Sequence, residues 1–282
     1  MVKVLVVGGT GYIGAAVVHA LLAHGHAVVA MSRSGKSPHE GAEGRQGGLD
    51  VPEVLAAAAA EADAVVHTAA PTGDERVEAA AIDALSGPGR PFLYTSGIWS
   101  LGATGRDPVD ESAPTNPLAI SAFRPRVEQR VLAAGGTVIR PGIVYGHGAG
   151  IPAMLVGWAA EHGSGRYVGS CATRWPMVHV DDLADLFARI LQSVEPPRLW
   201  HAVDEPAVST VALAAAADVA AGGPGTAERW TVGRAAELVG ENFATALATD
   251  QAVTSAHTAR LGWAPKRSAV EDMASGSYVA GG

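Results

Sequence analysis

KVLVVGGTGYIGAAVVHALLAHG, residues 3–25, is the stretch whose reading decides the fold. After Lys3 it is a short apolar, β-branched run that ends in glycine, which predicts a strand buried on both faces. From Tyr12 the apolar residues recur at helical spacing, and the run closes on Gly25, a residue suited to the position just past a helix end. Between the two elements Gly8, Gly11 and Gly14 stand in G-x-x-G-x-x-G spacing. Each glycine has a use there. One permits the tight turn, one lets backbone approach a pyrophosphate, and one lets helix and strand pack closely. A glycine triplet alone is a weak signal. Set between a strand and a helix at the head of a βαβ unit, it predicts a dinucleotide site, with Thr10, Tyr12 and Ile13 beside the glycines.

The pattern continues outward. HAVVAMSRS (26–34), DAVVHTAA (63–70), PFLYTSG (91–97) and TVIRPGIVYG (137–146) read as strands. VPEVLAAAAAEA (51–62), DERVEAAAIDALSG (74–87) and residues 122–134 read as helices. Strands alternating with helices of this length predict an α/β protein, a Rossmann doubly wound parallel sheet with right-handed crossovers. Beyond Gly146 the rhythm loosens. PAMLVGWAAEHG (152–163) and STVALAAAADVAAG (209–222) look helical, RWPMVHVDDLADLFARILQSV (174–194) reads as a strand and a helix, and RLWHAVDEP (198–206) reads as one strand. The expected organisation is a dinucleotide-binding domain over 1–148, with 177–192 returning to pack on it. Residues 149–282 then form a smaller, mainly substrate-binding portion.

Composition narrows the function classes. The chain has 282 residues, of which 48% are hydrophobic and 17% charged, enough for a packed core. A net charge of −8 and scattered basic residues argue against a nucleic-acid partner, which needs clustered Lys and Arg, and against a membrane surface. No apolar run reaches the roughly 18 residues of a spanning helix, so the expectation is a cytoplasmic protein. A lone cysteine, Cys171, gives no disulfide framework or cysteine zinc site, and His147, His179 and His201 lack ligand spacing, so no metal is expected.

The end of the second strand bears on which dinucleotide is bound. An NAD site usually places an acid there, to accept from the ribose 2′-hydroxyl. This chain has Ser32, Arg33, Ser34 and Lys36 instead, and a guanidinium can pair with a 2′-phosphate. NADP(H) is the expected cofactor.

With these residues assembled, the chain resembles the extended and atypical short-chain dehydrogenase/reductases, a group that includes nucleotide-sugar epimerases and dehydratases. The resemblance rests on VVGGTGYIG, DAVVHTAA, YTSGIWSLG, RPGIVYG and MVHVDDLADL, in the family's order. It implies that Thr68, Ala69 and Ala70 line the cofactor groove and that Pro141 and Ile143 meet the nicotinamide end. It also implies a catalytic Ser or Thr after the YTS strand, and a Tyr and Lys on the next helix that move the proton. Those positions are changed here. Sliding VEQRVL onto the family's helix puts Ile120 at the tyrosine and Arg124 at the lysine, while a shift of one gives Ser121 and Pro125. Counting back from Gly102 puts Gly97 at the serine, with Ser96 one residue earlier.

The candidates left for catalysis are Ser96 at a strand end, Arg124 as a positioning cation, and Tyr145 after the last core strand. The leading expectation is an NADP(H)-dependent oxidoreductase acting on a small carbonyl or hydroxyl compound. The alternatives are a non-redox isomerase, epimerase or cyclase that retains the dinucleotide, and a non-catalytic NADP(H)-binding redox sensor. Similar folds are commonly homodimers.

Overall fold

The computed structural model describes residues 1–279. The chain opens β1 (Lys3–Val7), α1 (Tyr12–Ala23), β2 (Ala27–Ser32), β3 (Glu43–Gln46), α2 (Pro52–Ala60), β4 (Ala64–His67), α3 (Glu75–Leu85), β5 (Phe92–Thr95), α4 (Arg124–Ala133) and β6 (Thr137–Pro141). It continues with β7 (Ile143–Tyr145), α5 (Gly150–His162), β8 (Gly165–Val168), β9 (Arg174–His179), α6 (Val180–Gln192), β10 (Leu199–Ala202) and β11 (Glu205–Ser209). The last elements are α7 (Thr210–Ala220), β12 (Ala227–Trp230), α8 (Val232–Val239), α9 (Glu241–Leu247) and α10 (Ala269–Ser275).

Two compact units emerge. The first holds Met1–Ser96, Phe123–Arg140 and Asp181–Trp200; the second holds Gly97–Ala122, Pro141–Val180 and the described chain from His201. The division is interleaved along the sequence.

Seven parallel strands in the order β10-β6-β5-β4-β1-β2-β3 form the main sheet. Strand order reverses between β1 and β4, and in such sheets ligands bind at the carboxyl ends of the strands flanking that point. The register there pairs Val7 with His67, which sets Gly8 and Thr68 beside each other just past the sheet. Val4 to Val7 are all at most 3% exposed, as a strand covered on both faces requires. Leu5, Met31, Leu55, Ile82, Leu85 and Val131 pack on one side of the sheet, and burying each such side chain contributes about 1.5–3 kcal/mol. Helix α3 starts at a true cap, since the Asp74 carboxylate accepts the Arg76 N–H at 2.8 Å.

The second unit is built on a three-stranded sheet, β11-β9-β7, and a two-stranded one, β12-β8. Its core includes Trp158, Trp175, Tyr145 and Leu213, with Trp99 packed against them.

Four elements depart from the sequence expectation. TVIRPGIVYG is two strands in different sheets, broken at Gly142, where a Cβ would lie 2.6 Å from the Pro176 carbonyl. RLWHAVDEP likewise divides between β10 and β11. Strand β3 has no counterpart in the sequence reading, because it is a polar, largely exposed edge strand without alternation. Helix α4 begins at Arg124, two residues later than expected, and Ile120 and Ser121 lie in a preceding 3₁₀ turn, Ala119–Ser121. Among the described residues no helix is long and apolar enough to cross a membrane.

Candidate dinucleotide site

The three glycines have different surroundings. Gly8 holds φ +80°, and a Cβ on it would lie 2.5 Å from the Ala69 backbone, so the turn after β1 needs glycine on both counts. A Cβ on Gly14 would sit 2.1 Å from the Gly8 carbonyl and 2.8 Å from the Thr68 hydroxyl, which makes Gly14 the close-packing position. Gly11 differs. A Cβ there would meet only the Gly8 carbonyl, at 3.3 Å, and the residue is otherwise exposed. Gly11 stands at the N-cap of α1 and, having no side chain, makes no side-chain cap there.

Around this turn lies a cavity of about 530 Å³. Of the residues singled out from sequence, Gly8, Thr10, Gly11, Ser32, Arg33, Thr68, Ala69 and Ala70 line it. Tyr12, Ile13 and Gly14 sit in the helix behind the turn, and Ser34 and Lys36 lie in the loop after β2, outside the lining. Pro141 ends β6, and Ile143 belongs to β7 in the second unit. Sequence reasoning missed the other wall, Gly47–Asp50 after β3, and the lip formed by Pro71 and Thr72. Neither carries a motif that periodicity could find.

The loop after β2 is shaped by its serines. The Ser32 hydroxyl donates to the Lys36 carbonyl at 3.1 Å and lies 3.3 Å from the Ser34 hydroxyl, while Gly35 takes φ +71°. This turns Arg33 outward: it is exposed and has no ion pair among the described residues, and the same holds for Lys36. One acid shares the cavity, Asp50, which with Arg33 flanks Gly48. On the opposite side the Thr68 hydroxyl donates to the Val7 carbonyl at 3.0 Å, fixing the start of the Thr68–Ala70 wall. These features fit a dinucleotide: an open glycine where a pyrophosphate would approach, the start of α1 directly after it, and an exposed guanidinium at the edge.

The catalytic candidates are less free than their positions suggested. Ser96 is 5% exposed, and its hydroxyl donates at 2.5 Å to Glu128 Oε1. Glu128 is in turn held by Arg140, whose Nε and Nη2 donate to its two oxygens at 3.0 and 2.5 Å. Arg124 Nη1 donates to the Thr95 carbonyl at 3.0 Å and to the Tyr94 hydroxyl at 3.3 Å, so its guanidinium is anchored to the end of β5. Tyr94 itself is buried and stays a neutral phenol, since burial pushes its pKa up to about 12. Tyr145 lies in the second unit, fully buried, with its ring edge-on to His179 at 5.1 Å. His67 was not anticipated. It is 1% exposed, its ring lies 5.2 Å from that of Tyr94, and burial lowers its pKa to about 4.

Fold and glycine-walled cavity together define an α/β protein of the dinucleotide-binding class. Residues 4–85 match the model of the NAD dependent epimerase/dehydratase family. An uncharacterized protein of Saccharomyces cerevisiae is 32% identical over 230 residues, covering 72% of this chain and 75% of the relative. The chain belongs to the NAD dependent epimerase/dehydratase family. A 2′-dehydrokanamycin reductase of Streptomyces kanamyceticus is 33% identical over 207 residues, 67% of this chain and 58% of that protein. Among solved structures, the dTDP-glucose 4,6-dehydratase of Bacillus anthracis in complex with NAD superposes with TM-score 0.81 at 17% identity, covering 99% and 96% of the two chains. The human epimerase family protein solved with NADPH gives TM-score 0.76 at 20% identity, covering 98% and 97%. These structural likenesses extend the agreement in fold over nearly the whole chain.

Proposed function

We propose that the protein is an NADP(H)-using enzyme of the epimerase/dehydratase type, acting on a small sugar-like compound at a carbon bearing a hydroxyl or carbonyl group. The observation that carries the cofactor is the cavity that Gly8, Gly11 and the Thr68–Ala70 wall share with an exposed Arg33, which has no ion pair among the described residues. Gly11 and the start of α1 would receive the pyrophosphate, and Arg33, with Lys36 nearby, would hold a 2′-phosphate. Structural relatives solved with NAD and one solved with NADPH support a dinucleotide in general, and the basic loop after β2 is the argument for NADP(H). When bound, the dinucleotide supplies a hydride acceptor and donor, returned to the same molecule in an epimerase-type cycle and kept by the product in a reductase-type one.

The family match favours the epimerase-type cycle over net oxidoreduction. Arg124 would position substrate or cofactor without exchanging protons, since a guanidinium stays charged. The Ser96 hydroxyl is spent on Glu128, which leaves Tyr145 as the proposed proton donor of the three candidates. A second reading, net reduction of a ketone, draws support from the Streptomyces reductase.

One experiment separates the readings. The protein is incubated with NADP⁺ or NADPH and a panel of sugar-like ketones and alcohols, while nicotinamide absorbance and product stereochemistry are followed together. Inversion or exchange at a carbon without net change in absorbance is the expected result, and NADPH oxidation in step with product supports the reductase. Neither event, with NADPH still bound, overturns the enzymatic reading and leaves a sensor. Arg124→Ala is expected to raise KM, and Tyr145→Phe to lower kcat by about 10²-fold or more if its hydroxyl is the acid.

A further inference from the structure

We infer that Glu78 is a positioning residue of the dinucleotide cavity, acting through Thr72; this rests on the reading of that cavity given above. Glu78 is 0% exposed, on the face of α3 that packs toward Ile82 and Leu85. A carboxylate in such a place is expensive unless it is paired. No cation pairs with it among the described residues, and its Oε2 has no partner there. Helix α3 does not need it as a cap, because Asp74 already serves. An apolar side chain would fill the same space at lower cost, so the carboxylate calls for another explanation.

Its contacts supply one. Glu78 Oε1 accepts from the Thr72 N–H at 2.7 Å and from the Thr72 hydroxyl at 3.0 Å. Thr72 is exposed and stands, with Pro71, on the lip of the cavity. The segment from Thr68 to Gly73 has no regular structure and ends on Gly73 at φ +82°. It is tied at its start by Thr68 on Val7 and at its far end by Thr72 on Glu78. Ala69, Ala70 and Pro71 lie between these ties and form the wall a dinucleotide would meet. Glu78 therefore holds the wall in its binding shape before the ligand arrives, which spares the ordering cost on binding.

The test is calorimetric titration of the full chain with NADPH, alongside thermal melting. Glu78→Gln keeps an oxygen that accepts both Thr72 donors and is expected to bind within about threefold of the parent protein. Glu78→Ala is expected to bind about tenfold more weakly. Thr72→Val removes the hydroxyl's bond to Glu78 together with the one it accepts from the Asp74 N–H at 3.2 Å, and is expected to weaken binding about threefold. Combined with Glu78→Ala it is expected to weaken binding by less than the product of the two single effects, because both remove the Thr72–Glu78 contact. A purely structural Glu78 would lower the melting temperature and leave NADPH affinity and this coupling unmoved, which overturns the inference. So does unchanged binding by Thr72→Val if Glu78→Ala fails to fold. Failure of the parent protein to bind any dinucleotide overturns the cavity reading and this inference with it; a parent that binds beside an unaffected Glu78→Ala overturns only the latter.

Discussion

Ser96 and Glu128 share a buried hydrogen bond of 2.5 Å, and Arg140 donates to both oxygens of the same carboxylate. All three side chains are at most 5% exposed, so the serine at the end of β5 is part of a buried ion-pair network. Removing one member leaves the others unequal. Ser96→Ala takes one hydrogen bond from a charged acceptor and should destabilise the fold by about 1.5–3 kcal/mol. Glu128→Ala strands the Arg140 charge and should cost about 3–5 kcal/mol. Denaturant unfolding measures both. Equal, negligible losses would mean that the network does not hold in solution and that Ser96 is free for chemistry.

The glycines should separate cleanly into fold and ligand roles. Gly14→Ala forces a Cβ against the Gly8 carbonyl and should cost about 1–3 kcal/mol of stability, as overpacking does. Gly11→Val brings its Cβ only to 3.3 Å from the Gly8 carbonyl, a milder contact, so its melting temperature should fall less than that of Gly14→Ala while dinucleotide binding is lost. Retained binding in Gly11→Val would remove the pyrophosphate from this turn.

His67 predicts a pH dependence with a definite sign. Its folded pKa, about 4, lies below the ordinary 6.5 because burial disfavours the charged ring. The unfolded chain therefore binds the proton first. The stability contributed is complete above pH 6.5, falls as pH drops toward 4, and changes no further below that. The loss over this window is on the order of 3 kcal/mol. His67→Leu should flatten that part of the stability profile relative to the parent protein, and parallel profiles for the two would contradict the assignment.

The βαβ head of the chain was legible because each local signal agreed: an apolar strand, the Gly8–Gly14 spacing and a helix that closes on Gly25. Local signals also mark where legibility stopped. At Gly142, where TVIRPGIVYG divides into two strands, Pro176, distant in sequence, leaves no room for a side chain. The contact between Ser96 and Glu128 spans 32 residues, and nothing in either neighbourhood announces it. Glu78 reads as an ordinary first-turn acid of a helix, and only tertiary structure shows it buried beneath the cavity lip. Asp50 follows a polar edge strand that has no periodicity to betray it.

The most direct test of the central claim is calorimetric titration of the purified protein with NADPH and with NADH. The cavity edge presents an exposed Arg33 with no ion pair among the described residues, with Lys36 in the same loop and no acid at the end of β2. The expected result is tighter binding of NADPH, with Arg33→Ala losing about 1–3 kcal/mol of that preference. Equal affinities for the two dinucleotides, or a preference for NADH, would contradict the account.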